Sequence, residues 1–132
     1  MSERVSDRQA MIAGMAPEIV EGHFVYAVSS DDRLAAHAFA VIREAEGTTL
    51  ILPEPLAAAE GLETEGPFVC ITLSVQSALE GVGLTAAVST ALADAGIPAN
   101  MVAGYHHDHV FVPAAEADRA LSVLNATAAA AT

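Results

Sequence analysis

The chain contains no lysine, and its 5 arginines face 17 acids, which leaves a formal charge of −12 over 132 residues. A nucleic-acid backbone or an anionic membrane would be repelled by that balance, so neither is expected as a partner. Acidity of this degree favours solubility. A second cysteine is missing, so Cys70 can form no intrachain disulfide. It sits in the strand-like run FVCITLSV, where a small buried thiol is expected rather than a nucleophile. No apolar run approaches the roughly 20 residues that cross a bilayer, because Asp, Glu, Gly or Pro interrupts each one. The opening MSERVSDRQA lacks the apolar block of a signal peptide, and a soluble, cytoplasmic protein is expected. Catalytic constellations are missing as well. Ser74, Ser77 and Ser89 lack a nucleophile-elbow context, and no glutamate base accompanies an open metal position. The expectation is a non-enzyme without catalytic residues or cofactor.

What is present is an apolar fraction of 53%, ample for a packed interior. Gly83 to Pro113 holds the clearest pattern. Leu84, Ala87, Val88, Ala91, Leu92 and Ala95 recur at the spacing of a buried helical stripe. Gly96 stands where a left-handed residue ends such a helix, and Pro98 prevents its resumption. Asn100 to Tyr105 and Asp108 to Val112 then read as two strands of a hairpin. After Pro113, Ala117, Ala120, Leu121 and Leu124 mark another helix, with the ATAAAAT tail expected to fray.

Earlier in the chain, Ser6 to Met15 reads as a short helix in which Ser6 and Gln9 have capping-box spacing. Met11 and Met15, a turn apart, suit a core. His23 to Val28 suits a strand and SSDDR a solvated turn. Ala38 to Arg43 and Thr48 to Leu52 suit a hairpin turning at Gly47, and Pro53 to Glu60 a helix stopped by Gly61. LETEGP, ending at Pro67, divides residues 1–65 from residues 66–132. Phe68 to Val75 is a strand with Val69, Ile71, Leu73 and Val75 on one face.

Ile42 to Pro53 (IREAEGTTLILP) can be laid on Val102 to Pro113 (VAGYHHDHVFVP) without a gap. Each goes from strand to turn to apolar triplet to proline to helix. A degenerate duplication is therefore expected, with β-α-β-β-α in the second copy and a short link replacing the first helix in the first. A strand, a helical crossover, a hairpin and a second helix give a split β-α-β sheet with both helices on one face. The expected class is α+β, ferredoxin-like.

On the residues VGLTAAVSTALADAGIPANMVAGYHHDHVFVP the chain resembles an ACT domain, the ferredoxin-like module that commonly senses amino acids. Gly83, Ala95-Gly96-Ile97 and Asn100 occupy the glycine loop, the helix end and the early strand asparagine of that family. REAEG (Arg43 to Gly47), EGPF (Glu65 to Phe68), GLTAAVS (Gly83 to Ser89) and HDHVFVP (His107 to Pro113) further resemble small bacterial proteins with paired ACT-like units and no catalytic domain. The resemblance implies a degenerate ACT-like unit over residues 1–65 and an ACT domain over residues 66–132. It also implies a small ligand, an amino acid, held at an interface between ACT units. The backbone of Gly81, Val82, Gly83 and Leu84 would take its carboxylate, Asn100 would add a polar contact, and Glu80 would meet the ammonium. Glycines at a helix start free N–H groups for an anion. The plainer alternative is that these glycines only shape a turn.

Two other readings stand beside that one. A structural module could pair through its sheet edges into a homodimer without any ligand. The cluster YHHDH (Tyr105 to His109) could hold a transition metal. Strand alternation separates His107 and His109 from His106 and Asp108 unless a turn lies among them, so no metal site is expected.

Overall fold

The computed structural model describes residues 7–75 and 82–132. In chain order the elements are α1 (Arg8–Ala13), β1 (Pro17–Ile19), β2 (Phe24–Val28), α2 (Asp32–Ala35), β3 (Ala40–Glu44), β4 (Gly47–Pro53), α3 (Glu54–Ala59), β5 (Glu65–Leu73), α4 (Leu84–Asp94), β6 (Asn100–Ala103), β7 (Asp108–Pro113), a 3₁₀ turn (Ala114–Glu116) and α5 (Ala117–Ala130). Packing groups them into a unit that is central in the sequence, Glu21–Val69, and a unit made of the two segments that flank it in the sequence, the one up to Val20 and Cys70–Thr132. The division at 65/66 read from the sequence follows chain order. The packing instead places the N-terminal segment with the C-terminal half.

The central unit runs β2-α2-β3-β4-α3-β5, and its strands lie in the order β3-β4-β2-β5 with antiparallel neighbours. That is the ferredoxin-like arrangement. Alternation turns Val25 and Ala27 of β2 and Leu50 and Leu52 of β4 to one face, where Leu34 of α2 and Ala57 of α3 cover them. The SSDDR stretch is not only a solvated turn. Asp31 accepts from the Arg33 N–H at 2.9 Å and starts the single turn of α2. The crossover therefore keeps a vestige of the first helix where the sequence predicts only a short link.

In the flanking unit the order is β6-β7-β5, with β1 on the far side of β5. Three residues, Pro17 to Ile19, pair antiparallel with Leu73 to Ile71, a strand the sequence did not reveal. The core joins Met11 and Met15 near α1, Ile71 and Leu73 of β5, Val88 and Leu92 of α4, Val110 and Val112 of β7, and Leu124 of α5. The opening helix is capped by Asp7, whose carboxylate accepts from the Ala10 N–H at 2.8 Å. Ser6, expected at that cap, lies outside the described residues, and Gln9, its expected partner, makes a distant contact. Its amide donates to the Ala131 carbonyl at 2.8 Å. The alanine tail, expected to fray, is helical to Ala130. Alanine has the highest helix propensity, and the bond from Gln9 holds the end.

At the other end of α4, Gly96 is left-handed at φ +75°. Its N–H donates to Ala93 and that of Ile97 to Leu92, the paired bonds of a Schellman stop. Arg119 of α5 adds a bond to the Ala95 carbonyl.

The two hairpins share one register. Ile42 faces Thr49 as Val102 faces His109, and Ala40 faces Ile51 as Asn100 faces Phe111. Each returns through a fully buried triplet, Leu50-Ile51-Leu52 or Val110-Phe111-Val112. Each then enters a helix through a proline of nearly equal backbone angles, Pro53 (φ −55°, ψ 133°) and Pro113 (φ −52°, ψ 137°). The gapless overlay read from the sequence is thus matched in strand pairing.

Candidate functional site

The N-terminus of α4 holds three of the six expected ligand-binding residues, Val82, Gly83 and Leu84. Gly83 is its N-cap at φ +109°, and no side chain among the described residues caps the helix. The first intrahelical bond runs from the Ala87 N–H to the Gly83 carbonyl at 2.9 Å. The N–H groups of Leu84, Thr85 and Ala86 therefore come before any i to i−4 partner and point out of the helix end. No acid lies in the first turn to answer their positive field. Leu84 is 3% exposed, so its side chain belongs to the core and only its backbone is on offer. Val82 is 78% exposed and presents its side chain to solvent. Glu80 and Gly81 lie outside the described residues.

Asn100 stands elsewhere. It is the exposed first residue of β6, which follows the C-terminal end of α4. The 11 residues of α4 rise about 1.5 Å each, so the two ends of the helix are about 16 Å apart. Within one unit, then, Asn100 and the Gly83 loop do not meet around one amino-acid-sized molecule.

Arg8 is the neighbour that sequence reasoning missed. A Cβ placed on Gly83 would lie 2.5 Å from Arg8 Cδ, so the arginine stem rests directly on the glycine. The two are distant in sequence, and no local signal could link them.

The YHHDH cluster is divided by a turn. The Gly104 N–H donates to the His107 carbonyl at 2.9 Å, and β7 begins at Asp108. His109 Nδ1 lies 2.9 Å from Thr72 Oγ1, whereas the buried His107 Nδ1 has no hydrogen-bond partner among the described residues. Burial, and next the neighbouring His107, lower the His109 pKa, with Asp108 acting in the opposite sense. Among the described residues, no three His, Cys, Asp or Glu side chains gather where one ion could be held. Cys70 is fully buried, and burial pushes its thiol up to about 11. No helix among the described residues is long and apolar enough to cross a membrane.

Comparison with known proteins agrees with this architecture. One ACT domain family model matches residues 65–126 and another matches residues 5–69. A solved structure from Vibrio cholerae, described as a protein of unknown function and possible transport protein, is 42% identical over 91% of this chain and 94% of its own, with a TM-score of 0.82. A protein from Agobacterium tumefaciens is 15% identical over 85% of this chain and 87% of its own, at a TM-score of 0.71. The ligand-free regulatory subunit of aspartate kinase from Thermus thermophilus is 14% identical over 86% of this chain and 97% of its own, at 0.62. The last two share the fold alone. No curated protein matches the chain.

Proposed function

The chain belongs to the ACT domain family, and from that premise we propose that it is a non-catalytic regulatory protein that binds a free amino acid or similar zwitterion. The observation that carries this reading is the glycine-led start of α4, where the first N–H groups have no partner within the helix, no side chain among the described residues caps them, and no acid occupies the first turn. A carboxylate of the ligand sits there against the N–H groups of Leu84 to Ala86, with Val82 and Gly83 shaping the approach. Glu80 and Gly81 belong to the same proposal as the preceding part of the loop. Asn100, at the other end of α4, would reach such a ligand from a second copy of the chain.

Isothermal titration and thermal melts with each of the free amino acids test the proposal. At about a hundredfold excess over Kd, a ligand that binds only the folded chain adds about 2.7 kcal/mol of stability, which raises Tm by several degrees. Gly83→Val should abolish the effect, and Asn100→Ala should weaken binding by about tenfold, the worth of one polar contact. Asn100→Ala should leave the unliganded Tm nearly unchanged, because the side chain is exposed. Absence of heat and of thermal shift with every amino acid would remove the proposal.

A further inference from the structure

We infer that the helix-free sheet face of the unit Glu21–Val69 carries a binding site for a small organic cation, an ammonium or guanidinium group on an apolar stem. The inference goes beyond amino-acid binding at α4 and stands without it. An open hollow of about 540 Å³ lies in this unit, a size in the range of small-molecule sites. Its walls include Tyr26 and Val28 of β2, Thr49 of β4, and Glu63, Thr64 and Glu65, where β5 begins. The alternation that turns Val25 and Ala27 toward α2 and α3 turns Tyr26 and Val28 the other way. Strand pairing then sets Thr49 opposite Val28 and Glu65 opposite Tyr26.

The polar lining of the hollow accepts hydrogen bonds and supplies no positive charge. Glu63 and Glu65 bring two carboxylates, and among the described residues neither has an ion-pair partner. The Thr49 hydroxyl donates to the Glu44 carboxylate, so it has only lone pairs left to offer, with a third acid beside it. Neither arginine of the unit answers this charge. Arg33 is held by Asp31 at 2.8 Å and by Glu60 at 2.9 Å. Arg43 pairs with Thr48, one position out of step with Thr49, and alternation turns it to the opposite face. The Tyr26 ring and the exposed Val28 give a stem apolar surface, and an aromatic ring attracts a cation besides. The matching hairpin of the other unit shows what keeps the hollow open. His109 stands there in the place of Thr49, and its larger ring reaches out to Thr72 Oγ1, whereas the smaller Thr49 leaves room beside Val28.

Isothermal titration of the whole chain with agmatine tests the site. Agmatine carries a guanidinium and an ammonium on a butyl stem and has no carboxylate to offer α4. It should bind, whereas butanol, with a similar stem and no charge, should give no heat. Glu63→Gln and Glu65→Gln should each weaken agmatine binding by about threefold to tenfold, as exposed charge-assisted contacts do, and the double variant should abolish it. Thr49→His, which introduces the ring that His109 carries at the matching place, should block entry. Asp94→Asn removes the same charge at the end of α4 and should leave the affinity unchanged. Backbone amide resonances of Thr49 and Glu65 should shift on titration while those of α4 stay in place, and circular dichroism of every variant should show a folded chain. Absence of heat with agmatine would overturn the inference, and so would butanol binding equally well. A loss on Asp94→Asn as large as on Glu65→Gln would overturn it too, since the attraction would then belong to the acidic chain as a whole.

Discussion

Cys70 shows how far one residue's chemistry is set by what surrounds it. Its strand context in the sequence already favoured burial, and the thiol is fully enclosed with its pKa raised to about 11. It should resist a thiol reagent at pH 8 in the native state and react fully once the chain is denatured, which absorbance with a disulfide reagent would show. The sign of the pH effect follows. Below the ordinary value of 9.0 both folded and unfolded chains hold the proton, and stability is unaffected. Between 9.0 and about 11 the unfolded chain releases it while the folded chain retains it, so stability falls as pH rises. Denaturant melts across that window should lose midpoint in the wild type and lose less in Cys70→Ala. His109 is a case that residue types alone left open. Its ring reaches Thr72 Oγ1, 37 positions away, and that neighbour explains its place better than any ion.

At the scale of elements, α4 was the most legible part of the chain. Its stripe of Leu84, Val88 and Leu92 is buried as the 3.6-residue period demands. Its end is decided by Gly96 at φ +75°, where an added Cβ would meet nothing within 4 Å. Gly96→Ala should therefore cost about 1 kcal/mol through backbone conformation alone, measurable as a lower midpoint in urea. No neighbour has to move, so a much larger loss would contradict this account. The hairpins were legible for the same reason, since alternation, turn residues and a closing proline are all local. Short pieces were not. The four residues of α2 and the three of β1 carry too little pattern, and β1 owes its existence to Ile71 through Leu73. The extent of α5 is not legible locally either, because the bond from Gln9 that secures its end comes from the opposite terminus.

At the scale of the whole molecule, the order of the chain and the order of packing differ. Met11, Ile12 and Met15 lie in one core with Leu92 and Leu124, and β1 supplies a strand beside β5. A fragment limited to residues 66–132 lacks that strand and those three side chains. It should fail to fold cooperatively, with circular dichroism and urea melts as the check, and adding back a peptide spanning residues 7–20 should restore structure. A fragment that melted sharply by itself would show that the N-terminal segment is dispensable.

Residue order alone settles what nearest neighbours along the chain decide: the helix stripe and its glycine stop, the two in-register hairpins, the buried cysteine and the strongly acidic composition. These rest on periodicity, backbone preference and formal charge, all of which act over a few residues or over composition as a whole. Folding had to select which segment completes the core around α4 and α5, that Arg8 lies on Gly83, and that Asn100 stands a helix length away from the loop it was expected to assist. Those facts depend on chain segments meeting across tens of residues, where the free energy of burial, and not any local preference, selects the partner.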